Sequence, residues 1–321
     1  MFAYLLPGTY RGQPPIRSET CSKQPMAHMN PVHHLPCVQT KQMCHAKVCV
    51  PTIYTVLKSK LYLTQISANS NCSVEQRIFR VDPFQHFESI SDVFGPENIS
   101  DLCRFVEALD SEIKSCCDNI GLLCLAGMGK KQLTSAVLLI GAYLLLMLKQ
   151  TPENIWDIFK RLSLEPYREG SDSSGSLSLV DCWQALAKGV ELKWIQPPFV
   201  PGIWGCIDID EYDHYASLCN GDLVQLVPGR LVSFPSPVEL PPGQSFRDAG
   251  GSRRFSAAYY AEILCALGVT DVVALRGIDY DVAPFRAAGI ACHRVDVPAH
   301  LPARAAADEF LRLAAAARGL V

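Results

Sequence analysis

Residues Leu122–Ala136 combine a cysteine, two glycines and a lysine in an order that could hold a phosphate group. A short apolar stretch leads to Cys124, a turn with Gly127 and Gly129 follows, and a long apolar segment begins near Lys130. When a cysteine ends a strand in this layout, its thiol lies over a helix N-terminus. There, backbone N–H groups and the helix dipole stabilise a thiolate and bind phosphate. The pattern therefore predicts a strand, a phosphate-binding turn and a helix.

The chemistry of this turn is nevertheless incomplete. A cysteine-dependent phosphatase loop has the pattern Cys-x5-Arg, because the planar guanidinium binds two phosphoryl oxygens at once. Lys130 stands at the arginine position, and its ammonium is a point charge that cannot make that paired contact. Leu123 replaces a preceding histidine, and Lys131 replaces a following Ser or Thr. We therefore expect Cys124 to be structural, with residual activity as the alternative.

Composition excludes several broad classes of protein. The 321 residues are 49% hydrophobic and 19% charged, which is ordinary for a globular protein and excludes a disordered chain. The formal charge is −3, so the basic excess typical of nucleic-acid-binding proteins is absent and no nucleic-acid partner is expected. The 14 cysteines are scattered along the chain. We interpret most of them as reduced thiols of a cytosolic or nuclear protein.

The apolar segment Leu133–Leu148 is the candidate for a membrane span. Its 16 residues fall short of the roughly 20 that a bilayer requires, and Lys130, Lys131 and Lys149 bracket it. A helix buried on all sides in a protein core has the same composition. We expect the buried helix and no membrane partner, with a membrane anchor as the alternative.

Residues 1–50 differ from the rest of the chain. They are rich in proline, contain a single acid, Glu19, and show no helical or strand periodicity, so they are predicted to be a disordered tail. Cys37, Cys44, His45 and Cys49 lack the closely spaced first pair of a typical zinc site. No metal is expected, and a zinc site and a mitochondrial transit peptide are the alternatives.

The remaining chain is predicted to contain two α/β units joined by a helix. Alternating strand and helix patterns fill residues 51–205, an acidic linker helix covers 206–220, and a second unit covers 221–321. In the linker, Asp208 and Glu211 are one helical turn apart and share a face, and Asp210 and Asp213 share another. One pair could therefore face a groove while the other faces solvent.

From Leu57 onwards the chain resembles the cell-division-cycle-fourteen family of dual-specificity protein phosphatases. The order and spacing of the similar segments agree with the family along the whole stretch. These segments are residues 57–63, 94–105, 138–156, 165–169, 207–234 and 272–296. The resemblance implies tandem cysteine-phosphatase-like domains, each with a central sheet flanked by helices. In the family the first domain has lost the catalytic loop and the second carries it.

The resemblance also implies that the second domain is incomplete. In the family, the residues after the position of Val321 complete a strand and supply His-Cys-x5-Arg, and the 321 residues contain no Cys-x5-Arg. The chain as printed is predicted to be inactive. Three interpretations are open: a fragment, a truncated gene model and a true pseudophosphatase. A sheet without its central strand leaves edges unpaired. We therefore expect the first domain to fold and the second not to, with proteolysis after about residue 220.

The mechanism implied by the family is covalent and needs no cofactor. A Cys thiolate attacks phosphorus, and an Asp protonates the leaving oxygen and then assists hydrolysis of the thiophosphate. Asp296 is the candidate acid, although alignment on Pro302 places Pro298 at the family position.

The family's substrates are phosphoproteins, with phosphoserine followed by proline and a basic residue downstream. Asp208, Asp210, Glu211 and Asp213 are accordingly predicted to line an acidic groove that attracts the basic residue. A role in cell-cycle control is implied, with locations in the cytoplasm and the nucleus, including the nucleolus, centrosome or spindle pole. The alternative is a catalytically dead module that binds proteins or phosphopeptides.

Overall fold

The computed structural model describes residues 52–65, 77–87, 94–116, 121–168, 176–227, 229–249, 252–297 and 304–321. The predicted tail, residues 1–50, and Pro298 lie outside these ranges.

The first half of the chain alternates strands and helices, as the sequence predicts. In chain order its elements are β1 (Tyr54–Leu57), β2 (Leu61–Gln65), β3 (Arg77–Arg80), β4 (His86–Phe87), β5 (Phe94–Gly95), α1 (Ile99–Ser115), β6 (Leu122–Ala126), α2 (Lys130–Leu146), α3 (Pro152–Phe159), α4 (Leu179–Glu191), β7 (Ile203–Trp204), β8 (Ile207–Asp208) and α5 (Ile209–Ala216).

Four of these strands form a sheet in the order β1-β2-β6-β3. Strands β2 and β3 run parallel to β6 on either side of it, and β1 is antiparallel to β2. All five residues of β6 are buried. A continuous apolar run of this kind is typical of a parallel strand that is covered on both faces.

Helix α2 follows β6 and is the centre of the first core. Every residue from Leu133 to Leu146 is buried, which confirms the prediction of a buried apolar helix. Trp183 of α4 packs against α2 and donates its Nε1–H to the carbonyl oxygen of Leu138 at 3.1 Å. Within the described ranges, every helix is too short or too polar to span a bilayer.

The apolar core of the first half continues through the linker. Trp204, Ile207, Ile209 and Tyr212 are all buried in the same cluster as α1 and α2. Because α5 contributes buried side chains to this core, it is packed on the first half rather than suspended between the two halves.

The second half has an apolar core of its own, from Leu223 to Leu320. Its elements are β9 (Val224–Val227), β10 (Leu231–Ser233), β11 (Phe246–Ala249), β12 (Ser252–Phe255), α6 (Ala257–Ala266), β13 (Asp271–Ala274), α7 (Ala283–Ala287), β14 (Ala291–Arg294) and α8 (Arg304–Ala316). The sequence led us to expect that this half would not fold, whereas its described residues form packed helices and paired strands. Proteolysis after about residue 220 stays a prediction.

Candidate functional site

Cys124 lies in the middle of β6 and not at its end. Its register partners are Leu63 of β2 and Phe79 of β3, and its side chain is completely buried in the first core. A phosphate-binding cysteine ends its strand, whereas here Leu125 and Ala126 continue the parallel pairing with β2 beyond Cys124. The strand end, and with it the helix N-terminus, lies beyond the thiol.

Burial also determines the chemistry of this thiol. Desolvation raises the pKa of Cys124 far above its ordinary value, since a thiolate in the apolar core would be unsolvated. The group therefore stays protonated at neutral pH, and only the thiolate is a nucleophile. Cys124 thus behaves as a small apolar core residue.

The turn between β6 and α2 is closed by glutamine side chains. Gln65 donates its Nε2–H groups to the carbonyl oxygens of Gly127 at 2.9 Å and Gly129 at 2.8 Å. Gln132 folds back over the same two glycines, and Gly129 has a φ of +118°, which a residue with a side chain rarely adopts. Lys130, which stands at the arginine position of the degenerate phosphate loop, is exposed at the start of α2. A glutamine side chain thus covers the turn where a phosphate would sit.

Replacing Cys124 by serine is expected to lower the free energy of unfolding by about 1–3 kcal/mol, because a hydroxyl would be buried among apolar side chains. Urea unfolding measures this change. The exposed Cys265 provides the matched control, and C265S is expected to change stability by less than about 0.5 kcal/mol. A C124S variant of unchanged stability that has lost a phosphate-releasing activity would show instead that the thiol is catalytic.

The acids of the linker helix are divided between two surroundings. Asp210 and Asp213 face α1, where the guanidinium of Arg104 contacts Asp210 Oδ1 at 3.1 Å and Asp213 Oδ2 at 2.7 Å. Asp208 caps α5, since its Oδ1 accepts hydrogen bonds from the backbone N–H groups of Asp210 and Glu211. The i,i+3 spacing thus separates the two pairs, as the sequence indicates.

Asp208 and Glu211 line a cavity of about 40 Å³ between α5 and the second half. The remaining lining is mainly apolar and includes Leu223, Val232 and Leu267. Desolvation, together with the nearby charge of Asp208, raises the pKa of Glu211. Among the described residues no cation forms an ion pair with Glu211. The site is therefore a half-buried carboxylate that a cation could stabilise.

Glu107 is a residue that positions the linker and that sequence reasoning missed. Its Oε1 accepts hydrogen bonds from the backbone N–H of Gly202 at 2.9 Å and from Trp204 Nε1 at 2.7 Å. Glu107 lies one helical turn after Arg104 on α1. Glu107 binds the segment before α5, and Arg104 binds α5 itself. The i,i+3 spacing of Arg104 and Glu107 indicates only that they share a helix face, and it does not point to Gly202 or Trp204.

A family model described as "Dual specificity protein phosphatase, N-terminal half" matches residues 55–189, the half that contains Cys124 and the closed turn. The dual specificity protein phosphatase CDC14C of Symphalangus syndactylus is 24% identical over 246 residues, covering 75% of this chain and 48% of the relative. CDC14B of Mus musculus is 23% identical over 288 residues, covering 88% and 57%. CDC14A of Homo sapiens is 27% identical over 187 residues, covering 56% and 30%.

The chain is similar to the CDC14 dual-specificity phosphatases. This confirms the resemblance and the fold class: an α/β chain with central sheets flanked by helices, in keeping with the tandem phosphatase-like domains of the family. The chain spans about half the length of the first two curated relatives, and less of the third.

Asp296, the candidate general acid, lies just after β14. It is exposed and accepts a hydrogen bond from Arg294 Nε at 2.8 Å. In the described part of the chain it shares neither the linker cavity nor the contacts of the other predicted site residues. Its role in catalysis stays a prediction.

The described ranges also contain no group of three or more His, Cys, Asp or Glu side chains that could hold a metal ion.

Proposed function

We propose that the protein works as a dual-specificity phosphoprotein phosphatase of the CDC14 type, in which the first half and the linker helix recognise substrate. Similarity to the CDC14 phosphatases supports phosphatase chemistry. The buried, protonated Cys124 supports a non-catalytic role for the first half. Catalysis would then follow the family's covalent mechanism, with attack by a Cys thiolate and proton transfer by an Asp.

The recognition proposal rests on the different surroundings of the acidic residues in the linker helix. Arg104 forms ion pairs with Asp210 and Asp213 within the first half, whereas Asp208 and Glu211 border the cavity next to the second half. A carboxylate in partly apolar surroundings attracts a cation more strongly than one in bulk water. The pair would therefore attract a lysine or arginine downstream of a phosphoserine-proline site.

The raised pKa of Glu211 is consistent with this role. Its cause is desolvation, which makes the ionised form costly while no cation is present. A bound lysine or arginine would offset that cost and lower the pKa again. Since the ionised form is disfavoured in the free protein, the variant Glu211→Gln is expected to fold at least as stably as the parent at neutral pH. A loss of binding in that variant would not be a loss of fold.

Peptide binding tests the proposal. A fluorescent phosphoserine-proline peptide with a downstream lysine is expected to bind about three- to tenfold more weakly to Glu211→Gln than to the parent protein, because the charge partner is lost. Asp210→Asn is the matched control, since Asp210 already contacts Arg104 and points away from the cavity. Fluorescence anisotropy at low ionic strength measures both affinities. Equal weakening by the two variants would contradict the assignment of Glu211.

The second candidate function is a binding module without turnover. The observation that favours it lies in the first half, where Cys124 is buried and protonated and Lys130 stands in place of the arginine that would bind phosphate. Release of inorganic phosphate from the same peptide separates the candidates. Turnover supports the phosphatase, binding without turnover supports the module, and failure to bind contradicts the recognition surface in both.

We further propose, from the similarity to CDC14 phosphatases alone, a role in cell-cycle control and a location in the cytoplasm and nucleus, including the nucleolus, centrosome or spindle pole. A fluorescent fusion followed through mitosis tests this, and a signal confined to another organelle would contradict it.

A further inference from the structure

The hairpin formed by β11 and β12 contains three arginines, and the pairing of its strands sets their positions. Arg247 lies directly opposite Arg254, and the next pair along the hairpin is Asp248 with Arg253. Residues that lie opposite each other in an antiparallel pair share a face, and successive pairs alternate between the two faces. Arg247 and Arg254 therefore lie on one face of the hairpin, and Asp248 and Arg253 lie on the other.

Arg253 is bound within the hairpin itself. Its Nε and Nη2 donate to the two carboxylate oxygens of Asp248 at 2.8 and 3.1 Å, and its guanidinium lies 3.7 Å from the centre of the Phe246 ring. The hydrogen bonds from Arg253 lower the pKa of the Asp248 carboxyl. Asp248 is the sole acid in residues 246–255. The one carboxylate of the hairpin is therefore paired with Arg253 and is not available to the other two arginines.

Arg247 and Arg254 are both exposed, and neither forms an ion pair with another of the described residues. Arg254 makes one long contact, from its Nη2 to the carbonyl oxygen of Ser236 at 3.5 Å. Like charges that lie directly opposite each other destabilise a strand pair. This face of the hairpin therefore presents two guanidinium groups whose mutual repulsion no acid of the described residues offsets.

The rest of the second half fixes the position of the hairpin. The buried ring of Phe255 stacks on the ring of Tyr259 in α6, with 4.2 Å between the centroids. The backbone N–H of Val238 donates to the carbonyl oxygen of Phe255, and the N–H of Ser256 donates to that of Ser245, both at 2.9 Å. The backbone of β12 is thus held on both sides, so the two opposed arginines start from fixed positions.

We propose that Arg247 and Arg254 form a binding site for the phosphoryl group of a phosphorylated side chain in a partner polypeptide. A phosphate monoester carries a charge of about −2 at neutral pH and three strong acceptor oxygens. Each planar guanidinium can contact two of these oxygens at once. A dianion between the two arginines would therefore replace their repulsion by attraction. We refer to this pair of residues as the arginine clamp.

The exposed face of the hairpin suits a group that is carried by a polypeptide. A small molecule gains its affinity from a concave pocket that buries most of its surface. The arginine clamp lies instead on a two-stranded hairpin, in which β11 pairs only with β12 among the described strands. A partner chain could therefore add backbone contacts along β11 while its phosphoryl group contacts the clamp.

A peptide that lacks the features proposed for recognition by Glu211 tests the arginine clamp separately. The probe is a fluorescent peptide of glycine and alanine around one phosphoserine analogue, in which a difluoromethylene group replaces the ester oxygen and prevents hydrolysis. It contains neither proline nor lysine. Anisotropy with the full chain measures its affinity. Arg247→Gln and Arg254→Gln are each expected to bind it at least about fivefold more weakly than the parent protein, because one guanidinium is lost.

Two controls separate the clamp from general attraction between charges. Arg77→Gln removes the same charge from an exposed arginine of the first half that is paired with Glu112. At about 0.1 M salt, where distant charges are screened, it should leave the affinity unchanged within about twofold. A peptide with glutamate in place of the analogue carries one negative charge instead of two, and the parent protein should bind it at least about fivefold more weakly than the probe.

Stability distinguishes a binding role of the clamp from a structural one. Because Arg247→Gln removes one of two opposed like charges, its free energy of unfolding is expected to equal or exceed that of the parent protein. Urea unfolding measures this quantity. A variant that is less stable than the parent and binds the probe equally well would show that Arg247 is a structural residue and would overturn the proposal.

The binding experiment has three further results that would overturn the proposal. No binding of the probe by the parent protein would mean that the clamp does not hold a phosphoryl group. Equal weakening by Arg77→Gln and Arg247→Gln would mean that only the overall charge matters. Inorganic phosphate that displaces the probe as effectively as the unlabelled peptide does would assign the clamp to free phosphate. None of these results bears on Glu211, since the probe lacks the lysine that Glu211 would contact.

Discussion

Replacing Trp183 by alanine is expected to lower the free energy of unfolding by about 3–5 kcal/mol, the range found for large aromatic side chains removed from cores. Trp183 is completely buried between α2 and α4. Its ring lies against Gly141, which leaves no room for a β-carbon at that position of α2, and its Nε1–H bonds to the Leu138 carbonyl oxygen. The cavity left by alanine would therefore open in the middle of the first core.

Trp156→Ala is the matched control for this prediction. Trp156 lies on α3 with 38% of its surface exposed, so its removal should cost less than about 1 kcal/mol. Urea unfolding followed by far-UV circular dichroism avoids the loss of tryptophan fluorescence in both variants. Similar losses for Trp156 and Trp183 would show that α4 does not pack on α2 in the manner described.

Replacing Glu107 by alanine is expected to lower the free energy of unfolding by about 2–4 kcal/mol. The carboxylate accepts from Gly202 and from the buried Trp204, and a donor left unpaired in a core costs about 1–3 kcal/mol. Because Trp204 and α5 share the first core, we also expect faster amide hydrogen exchange in α5.

Glu112→Ala is the control on the same helix. Glu112 forms an exposed ion pair with Arg77, and such pairs contribute about 0–1 kcal/mol. Urea unfolding gives both stabilities, and hydrogen exchange gives the protection of α5. If Glu107→Ala left both quantities unchanged, Glu107 would not hold the linker on the first half.

Local patterns were enough to predict the elements around the site. The apolar run after Lys130 predicted α2, and the spacing of the linker acids separated Asp208 and Glu211 from the other pair. The burial of Cys124 inside β6 has a non-local cause. The length of β6 depends on its pairing with β2, and those partner residues are some 60 positions away in the chain.

Contacts between distant segments account for the rest of what the sequence did not reveal. Arg104 and Asp213 are 109 residues apart, and a single sequence contains no signal that pairs them. The same holds for Glu107 and Trp204. In the second half, the backbone of Leu320 accepts a hydrogen bond from Thr270. We had expected the strands of this half to stay unpaired and without a packed core.

The recognition of a basic residue by Glu211 is tested most directly by a charge-swap cycle. The affinities of the parent protein and Glu211→Lys are measured by anisotropy for two phosphoserine-proline peptides, one with a downstream lysine and one with glutamate in its place. Each single swap should weaken binding, and the double swap should restore it, with a coupling of at least about fivefold. If the effects of the two swaps are additive, Glu211 does not contact the basic residue, and the proposed role of the linker helix is contradicted.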